Sequence, residues 1–93
     1  MPTPTLTPEQ FQRISRALAD PSRYEILRQI YAAESTTCGN VSSQVPVSAA
    51  TCSHHLRELE NADLIQVTRD GRFRLLAPRR DIWRGYLAYL REL

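Results

Sequence analysis

Two groups of side chains in the second half of the sequence could do chemistry. The first combines small residues with hydrogen-bonding ones: Ser48, Ala50, Thr51, Ser53, His54 and Arg57. The second is a set of arginines that follows shortly after: Arg69, Arg72 and Arg74. Hydroxyl and imidazole groups can bond to base edges and phosphates, and an arginine can bond guanine bidentately or bind phosphate. These residue types suit contacts with double-stranded DNA, although a solvated helix face could carry the same side chains, and their place between a helix-turn and a basic hairpin favours DNA.

The charge distribution agrees with this interpretation, although the net charge is only +2. All twelve basic residues are arginine, and five of them fall between positions 69 and 80, with Asp70 as the one acid among them. A local basic cluster matters more for phosphate contact than the total charge does. A solvated, charged hairpin would show the same cluster, so charge alone leaves both interpretations open.

The sequence shows few of the features expected of an enzyme or of a metal-binding protein. It contains no glycine-rich phosphate loop and no plausible set of nucleophile, base and acid. The adjacent His54 and His55 would point about 100° apart on a helix, which suits joint chelation poorly. The two cysteines, Cys38 and Cys52, are expected to be thiols, because a secreted disulfide scaffold of this size usually carries more. We therefore predict no catalysis, no cofactor and no bound metal.

The elements that must position the DNA-contacting groups follow from capping residues and apolar periodicity. Thr7, Asp20, Thr37 and Ser48 can each cap a helix, and Gln10 completes a capping box with Thr7. The patterns predict helices over 8–19, 21–32, 38–45, 49–61 and 81–93, and strands over 64–69 and 72–76 around an Asp70-Gly71 turn.

This order of elements predicts a fold that is mainly α with a small β-hairpin wing. It is the order of a winged helix-turn-helix, here with five helices and a two-stranded antiparallel wing. Residues 1–6 are rich in proline and threonine and are predicted to form a flexible arm. Residues 7–93 are predicted to form one domain for DNA binding and dimerisation.

Helix and strand geometry also predicts which side chains face inward. In the helix over 49–61 the apolar face is expected to comprise Ala49, Cys52, Leu56 and Leu59. His55 lies at the edge of that face, so a packed or capping role is expected for it. In the hairpin, alternation predicts an inward set, Ile65, Val67, Phe73 and Leu75, and an outward set, Gln66, Thr68, Arg72 and Arg74.

Residues 17–27 read ALADPSRYEIL, residues 48–59 read SAATCSHHLREL, and residues 62–72 hold ADLI followed by RDGR. In this order they resemble the "ALADPTRxxIL" opening, the "S-x-x-T-V-S-H-H-L-x-x-L" recognition helix and the "AGLV…R-x-G-R" wing of the ArsR/SmtB family of bacterial repressors. The resemblance spans about Phe11 to Leu93. It implies a homodimer that binds an operator and releases it when a small effector, which the sequence does not specify, binds.

The metal sites that many members of that family carry are incomplete in this sequence. One uses a Cys-x-Cys pair on the helix before the recognition helix, where only Cys38 is present. Another uses Asp and His on the last helix, which here has Asp81 and Glu92 but no His. Cys52 stands where the family usually has Val, so the resemblance implies a packing role. Cys38, near a helix start, is expected to be a semi-buried structural thiol because a second thiol is missing nearby, and a thiol-based redox-sensing regulator stays open as the alternative.

The last helix carries more apolar surface than a small monomer needs for its own core. We expect the first and last helices to pair across a two-fold axis through Phe11, Ile14, Ile82, Trp83, Tyr86, Leu87, Tyr89, Leu90 and Leu93. Two alternatives stay open: the surplus completes the monomer core, or the fold is a protein-interaction module without DNA binding. The sequence has no membrane-spanning apolar run and no secretory h-region, so we expect a cytoplasmic protein without membrane contact.

Overall fold

The computed structural model describes residues 2–93 and gives them five helices and three strands. The helices are α1 (Pro8–Leu18), α2 (Pro21–Ala33), α3 (Cys38–Ser42), α4 (Ala49–Asn61) and α5 (Arg80–Arg91). The strands are β1 (Thr36–Thr37), β2 (Ile65–Asp70) and β3 (Phe73–Pro78). The predicted winged helix-turn-helix with five helices is confirmed. Over these residues, every helix is too short or too polar to cross a membrane.

The predicted capping residues start the first four helices. The side chains that accept a backbone N–H there are Thr7, Asp20, Thr37 and Ser48. The capping box is complete, because Thr7 Oγ1 accepts from the Gln10 backbone at 3.1 Å and Gln10 Oε1 accepts from the Thr7 backbone at 2.8 Å. Each such cap contributes about 1 kcal/mol to helix stability. The helix starts are thus fixed by local sequence.

The helix α3 ends at Ser42, earlier than the predicted end at Val45. The backbone N–H of Ser43 bonds to the Gly39 carbonyl at 3.1 Å, and the Ser43 hydroxyl donates to the Asn40 carbonyl at 2.8 Å. Serine side chains that bond to nearby backbone in this way favour helix ends over helix interiors. Val45, which follows the helix, is nevertheless buried.

The wing is a three-stranded antiparallel sheet in the order β1-β3-β2, because the two-residue strand β1 adds to the predicted hairpin. Thr36 pairs with Leu76 and Thr37 with Leu75. This third strand was not predicted, since two threonines give no recognisable alternation. It ties the wing to the start of α3 and so to the helix-turn-helix.

The predicted inward face of the hairpin is wrong for its second strand. Val67 pairs with Leu76 and Arg69 with Arg74, so Arg74 and Leu76 share the face of Val67. Leu76 is 1% exposed, whereas Phe73 is 61% exposed. The reason is geometric: a two-residue turn pairs odd-numbered with even-numbered positions, and cross-strand partners share a face.

The core lies where α1, α2, α4, α5 and the base of the sheet meet. Its fully buried large side chains include Ile14, Ile26, Ile30, Leu59 and Leu64. Leu6, at the end of the predicted flexible arm, is also buried, at 5% exposure, and belongs to this core. The arm therefore packs against α5 from Pro4 and reaches the core at Leu6, and the flexibility of residues 1–3 stays a prediction.

Candidate nucleic-acid interface

The helix α4 presents one apolar and one polar face. Cys52, Leu56 and Leu59 are 1%, 3% and 0% exposed, as predicted. The residues Ala50, Thr51, His54 and Arg57 are exposed on the other side, and Ser53 is half-buried between the two faces. The inward prediction for Ala49 is wrong, because this first residue of α4 is exposed.

The N-terminus of α4 carries two neighbouring hydroxyls. The Ser48 Oγ accepts the Thr51 backbone N–H at 3.1 Å and lies 2.9 Å from the Thr51 Oγ1, to which it donates. Because that proton is committed, the Thr51 hydroxyl keeps its own proton for another acceptor. A helix N-terminus also favours anions through its free N–H groups and dipole. This end of α4 therefore suits a DNA phosphate or base edge.

The tip of the wing is a tight turn at Gly71 and Arg72. Gly71 has a φ of 60°, a left-handed conformation that costs a glycine little. Arg69 and Arg72 are exposed there, as a phosphate-binding role requires. Arg74 is different, because its Nη2 lies 3.2 Å from the Cys38 Sγ and its side chain is half-buried. The outward prediction for Arg74 is therefore wrong, because it stands on the face of the sheet that meets α3.

The five arginines between 69 and 80 do not form one patch. Arg79 makes two hydrogen bonds to the Asp81 carboxylate, each of 3.2 Å, which lowers the pKa of Asp81 and raises that of Arg79. Arg80 Nη2 donates to the Tyr31 carbonyl at 2.7 Å, and its guanidinium lies over the Tyr31 ring. Arg79 thus pairs within the start of α5 and Arg80 joins α5 to α2, which leaves Arg69 and Arg72 as the exposed charge of the wing tip.

His55 is buried on the recognition helix, as its position at the edge of the apolar face predicted. It is 5% exposed, and its Nδ1 accepts from Arg23 Nε at 3.3 Å. Its Nε2 lies 3.8 Å from the Asp20 Oδ1. Burial lowers the pKa of His55, although the Asp20 carboxylate opposes that shift. Asp20 was predicted to cap a helix, but its contact with His55 was not predicted, because the two residues lie far apart in the chain.

The two thiols occupy different surroundings. Cys52 is 1% exposed in the core, and burial raises the pKa of its thiol. Cys38 is half-buried beside Arg74. Among residues 2–93, no three His, Cys, Asp or Glu side chains come together in a way that could hold a metal ion.

The residues predicted for a dimer interface divide into buried and exposed sets. Ile14, Ile82 and Tyr86 are 0%, 7% and 8% exposed within the single chain. Ile14 therefore offers a partner no surface, contrary to prediction, because it packs in the core of its own chain. Phe11, Trp83 and Tyr89 are half-buried, with Phe11 stacked on Tyr89 at a ring distance of 4.2 Å. The exposed members are Leu87, Leu90 and Leu93.

Comparison with known proteins identifies relatives of this arrangement. A family model described as a helix-turn-helix domain matches residues 18–68, more than half of the chain. A crystal structure of an ArsR family transcriptional regulator is 26% identical, has a TM-score of 0.83, and aligns over 96% of this chain and 91% of that one. NolR from Sinorhizobium fredii is 25% identical, with a TM-score of 0.71 and coverage of 96% and 94%.

A third solved structure shares the fold at lower identity. It is a homodimeric winged helix-turn-helix DNA-binding domain from Mycobacterium bovis, described as a possible ArsR-family transcriptional regulator. It is 22% identical, with a TM-score of 0.74 and coverage of 88% of this chain and 76% of that one. No curated protein sequence matches the chain.

Proposed function

The chain belongs to the helix-turn-helix domain family as an ArsR-type, DNA-binding transcriptional regulator, and on that premise we propose that it is a cytoplasmic, homodimeric repressor of an inverted-repeat operator. The observation that carries this proposal is the pairing of two surfaces. The helix α4, with its exposed polar face, is separated by three residues from a hairpin whose tip exposes Arg69 and Arg72. One surface suits a major groove and the other suits the neighbouring backbone or minor groove.

Each part of the interface has a distinct role in this proposal. Thr51, Ser53, His54 and Arg57 read base edges in the major groove. Ala50 permits close approach, and the N-terminus of α4, which Ser48 caps, binds a phosphate through its free backbone N–H groups. On the wing, Arg69 and Arg72 hold the backbone or the minor groove, and Arg74 supports them with the part of its guanidinium that α3 leaves uncovered.

The dimer places two copies of α4 about one DNA turn apart. The Mycobacterium bovis domain is a homodimer, which supports the same assembly for this fold. In this chain, Leu87 and Leu90 are 38% and 37% exposed on α5. Several large apolar side chains exposed along one helix favour a covered surface over a solvated one. A small effector would act on this dimer, and its chemical identity is left to experiment.

Selection of bound fragments from genomic DNA tests the proposal directly. We expect recovery of an inverted repeat, bound as a dimer. Replacing His54 or Arg57 by Ala should reduce the preference for that operator over a scrambled duplex by about 1–3 kcal/mol per lost base contact. Arg28→Ala is the matched control, because Arg28 is an exposed arginine of α2 that pairs with Glu25. Unchanged operator preference in both α4 variants would contradict the proposed base contacts.

A further inference from the structure

The contact between α2 and α4 contains a partly buried polar cluster formed by Asp20, Arg23 and His55, of which only His55 is fully buried. One atom, the Asp20 Oδ1, accepts the Arg23 backbone N–H at 3.0 Å and lies 3.8 Å from the His55 Nε2. The same Arg23 donates from its side-chain Nε to the His55 Nδ1 at 3.3 Å. The first turn of α2 is therefore joined to the middle of the recognition helix at a residue that is 5% exposed.

The geometry assigns the protonation state of His55. The Nδ1 can accept from Arg23 only if it carries no proton, so the imidazole is neutral and its proton is on Nε2. That N–H then faces the Asp20 carboxylate. A second proton would have to enter on Nδ1, where it would oppose the N–H of the Arg23 guanidinium. Protonation of His55 and the contact with Arg23 therefore exclude each other.

We propose that Asp20, Arg23 and His55 form a latch that positions the recognition helix for base readout, and that the latch holds only while His55 is neutral. The proposal rests on the operator contacts proposed above for α4. His55 touches no base in this scheme and is a positioning residue. It acts because Thr51 lies one helical turn before it and His54 directly before it, so movement of the backbone at 55 displaces both.

The charged groups around His55 determine how the latch responds to pH. Asp20 and Arg23 face it from α2, and His54 is its neighbour on α4. Burial is the main cause that lowers the pKa of His55; Arg23 and His54 lower it further, and Asp20 opposes them. The folded protein therefore resists protonation of His55 as the pH falls below the usual histidine pKa of about 6.5. Once His55 is protonated, its contact with Arg23 breaks.

The expected consequence is a loss of selectivity at acid pH that is distinct from a loss of binding. The phosphate contacts come from arginines, which stay charged at all relevant pH values. Operator binding should therefore weaken relative to scrambled DNA as the pH falls. The ratio of operator affinity to scrambled-DNA affinity changes about tenfold for each unit by which the pKa of His55 in the operator complex lies below its pKa in the free protein.

The test is to measure dissociation constants for the operator and for a scrambled duplex of equal length from about pH 5.5 to about pH 8, across the histidine range. His55→Gln retains a side-chain acceptor for Arg23 but does not titrate. We expect the ratio of operator affinity to scrambled-DNA affinity to fall toward acid pH for the wild type and to stay constant for His55→Gln. His54→Gln should lower the ratio at every pH and still show the wild-type fall. Identical pH profiles for wild type and His55→Gln would overturn the latch.

A second measurement keeps the latch testable if His55→Gln does not fold. The pKa of His55 can be followed by NMR in the full-length wild type and in Arg23→Gln. Removing the guanidinium should raise that pKa and reduce operator selectivity at neutral pH, and an unchanged pKa would count against the latch. Loss of selectivity in His54→Gln and Arg57→Ala tests the α4 contacts separately, so failure of the latch and failure of the proposed function give different results.

Discussion

The backbone carbonyl of Pro4 lies directly against Gly85 in the middle of α5. A Cβ added to Gly85 would stand 2.8 Å from the Pro4 oxygen and 3.2 Å from two carbons of the Leu6 side chain. The distance of 2.8 Å is shorter than real Cβ atoms approach an oxygen, and the backbone oxygen cannot rotate away as a flexible side chain would. Residues 4–6 therefore form a strap that crosses α5 at its one glycine and ends in the core at Leu6.

Gly85→Ala should displace the strap and destabilise the fold. Full burial of a leucine is worth about 1.5–3 kcal/mol, and the alanine regains up to about 1 kcal/mol through its better helix propensity. We expect a net loss of about 1–2 kcal/mol in the free energy of unfolding, measured by urea denaturation. Gly39→Ala in α3 is the matched control, because its added Cβ would meet nothing within 4 Å beyond its chain neighbours and the backbone of its own helix. A Gly85→Ala protein as stable as the Gly39→Ala protein would show that the strap contributes nothing.

The wing arginines should control the salt dependence of DNA binding. Arg72→Ala removes an exposed guanidinium at the turn and should weaken binding to all sequences. Each lost phosphate contact reduces the slope of log K against log salt by about 0.9. Arg80→Ala is the control, because that guanidinium is already bonded to the Tyr31 carbonyl at 2.7 Å. The wing would have no role in phosphate binding if the two variants showed the same slope as the wild type.

Local patterns predicted those parts of the molecule that local interactions determine. The caps at Thr7, Asp20 and Ser48 fixed the starts of α1, α2 and α4. Strand pairing was harder, because alternation within one strand does not say which face meets the core. The contacts of Arg23 with His55 and of Arg74 with Cys38 join residues 32 and 36 positions apart. Only the packed chain brings such residues together.

The corrected strand register can be tested by stability. Phe73 is 61% exposed at the wing tip, so Phe73→Ser should change the free energy of unfolding by no more than about 0.5 kcal/mol. Leu76 is 1% exposed on the other face, and Leu76→Ser should cost at least about 3 kcal/mol, because it buries an unsatisfied hydroxyl and leaves a cavity. Urea denaturation of both variants decides the matter. The opposite ranking would restore the face that alternation predicted.

Cys52 should behave as a packing residue without regulatory chemistry. It is 1% exposed, and burial raises the pKa of its thiol, so little thiolate forms near neutral pH. Iodoacetamide should therefore modify half-buried Cys38 before Cys52 in the folded protein, as mass spectrometry of peptides would show. Cys52→Val should keep both the fold and DNA binding. A Cys52→Val protein that folds but no longer responds to an effector would mean that the thiol has a regulatory role.

The dimer surface should lie on the exposed apolar side chains of α5. Leu87 and Leu90 are more than a third exposed, whereas Tyr86 is 8% exposed and bonds to the Ser15 hydroxyl at 3.0 Å. Leu87→Glu with Leu90→Glu should therefore give a folded monomer, because charges on a solvated helix face cost little once the partner is absent. Tyr86→Glu should instead unfold the chain, since it places a carboxylate in the core.

Sedimentation equilibrium at micromolar concentration, with circular dichroism on the same samples, separates these outcomes. We expect a wild-type dimer and a helical, monomeric double variant that binds an inverted-repeat operator far more weakly. The weakening follows because a monomer engages one half-site and loses the gain from binding two linked sites at once. A wild-type monomer that still binds the inverted repeat would rule out the dimer. A dimer that survives both substitutions would place the interface on another surface, with the half-buried, stacked pair of Phe11 on α1 and Tyr89 on α5 as the next candidates.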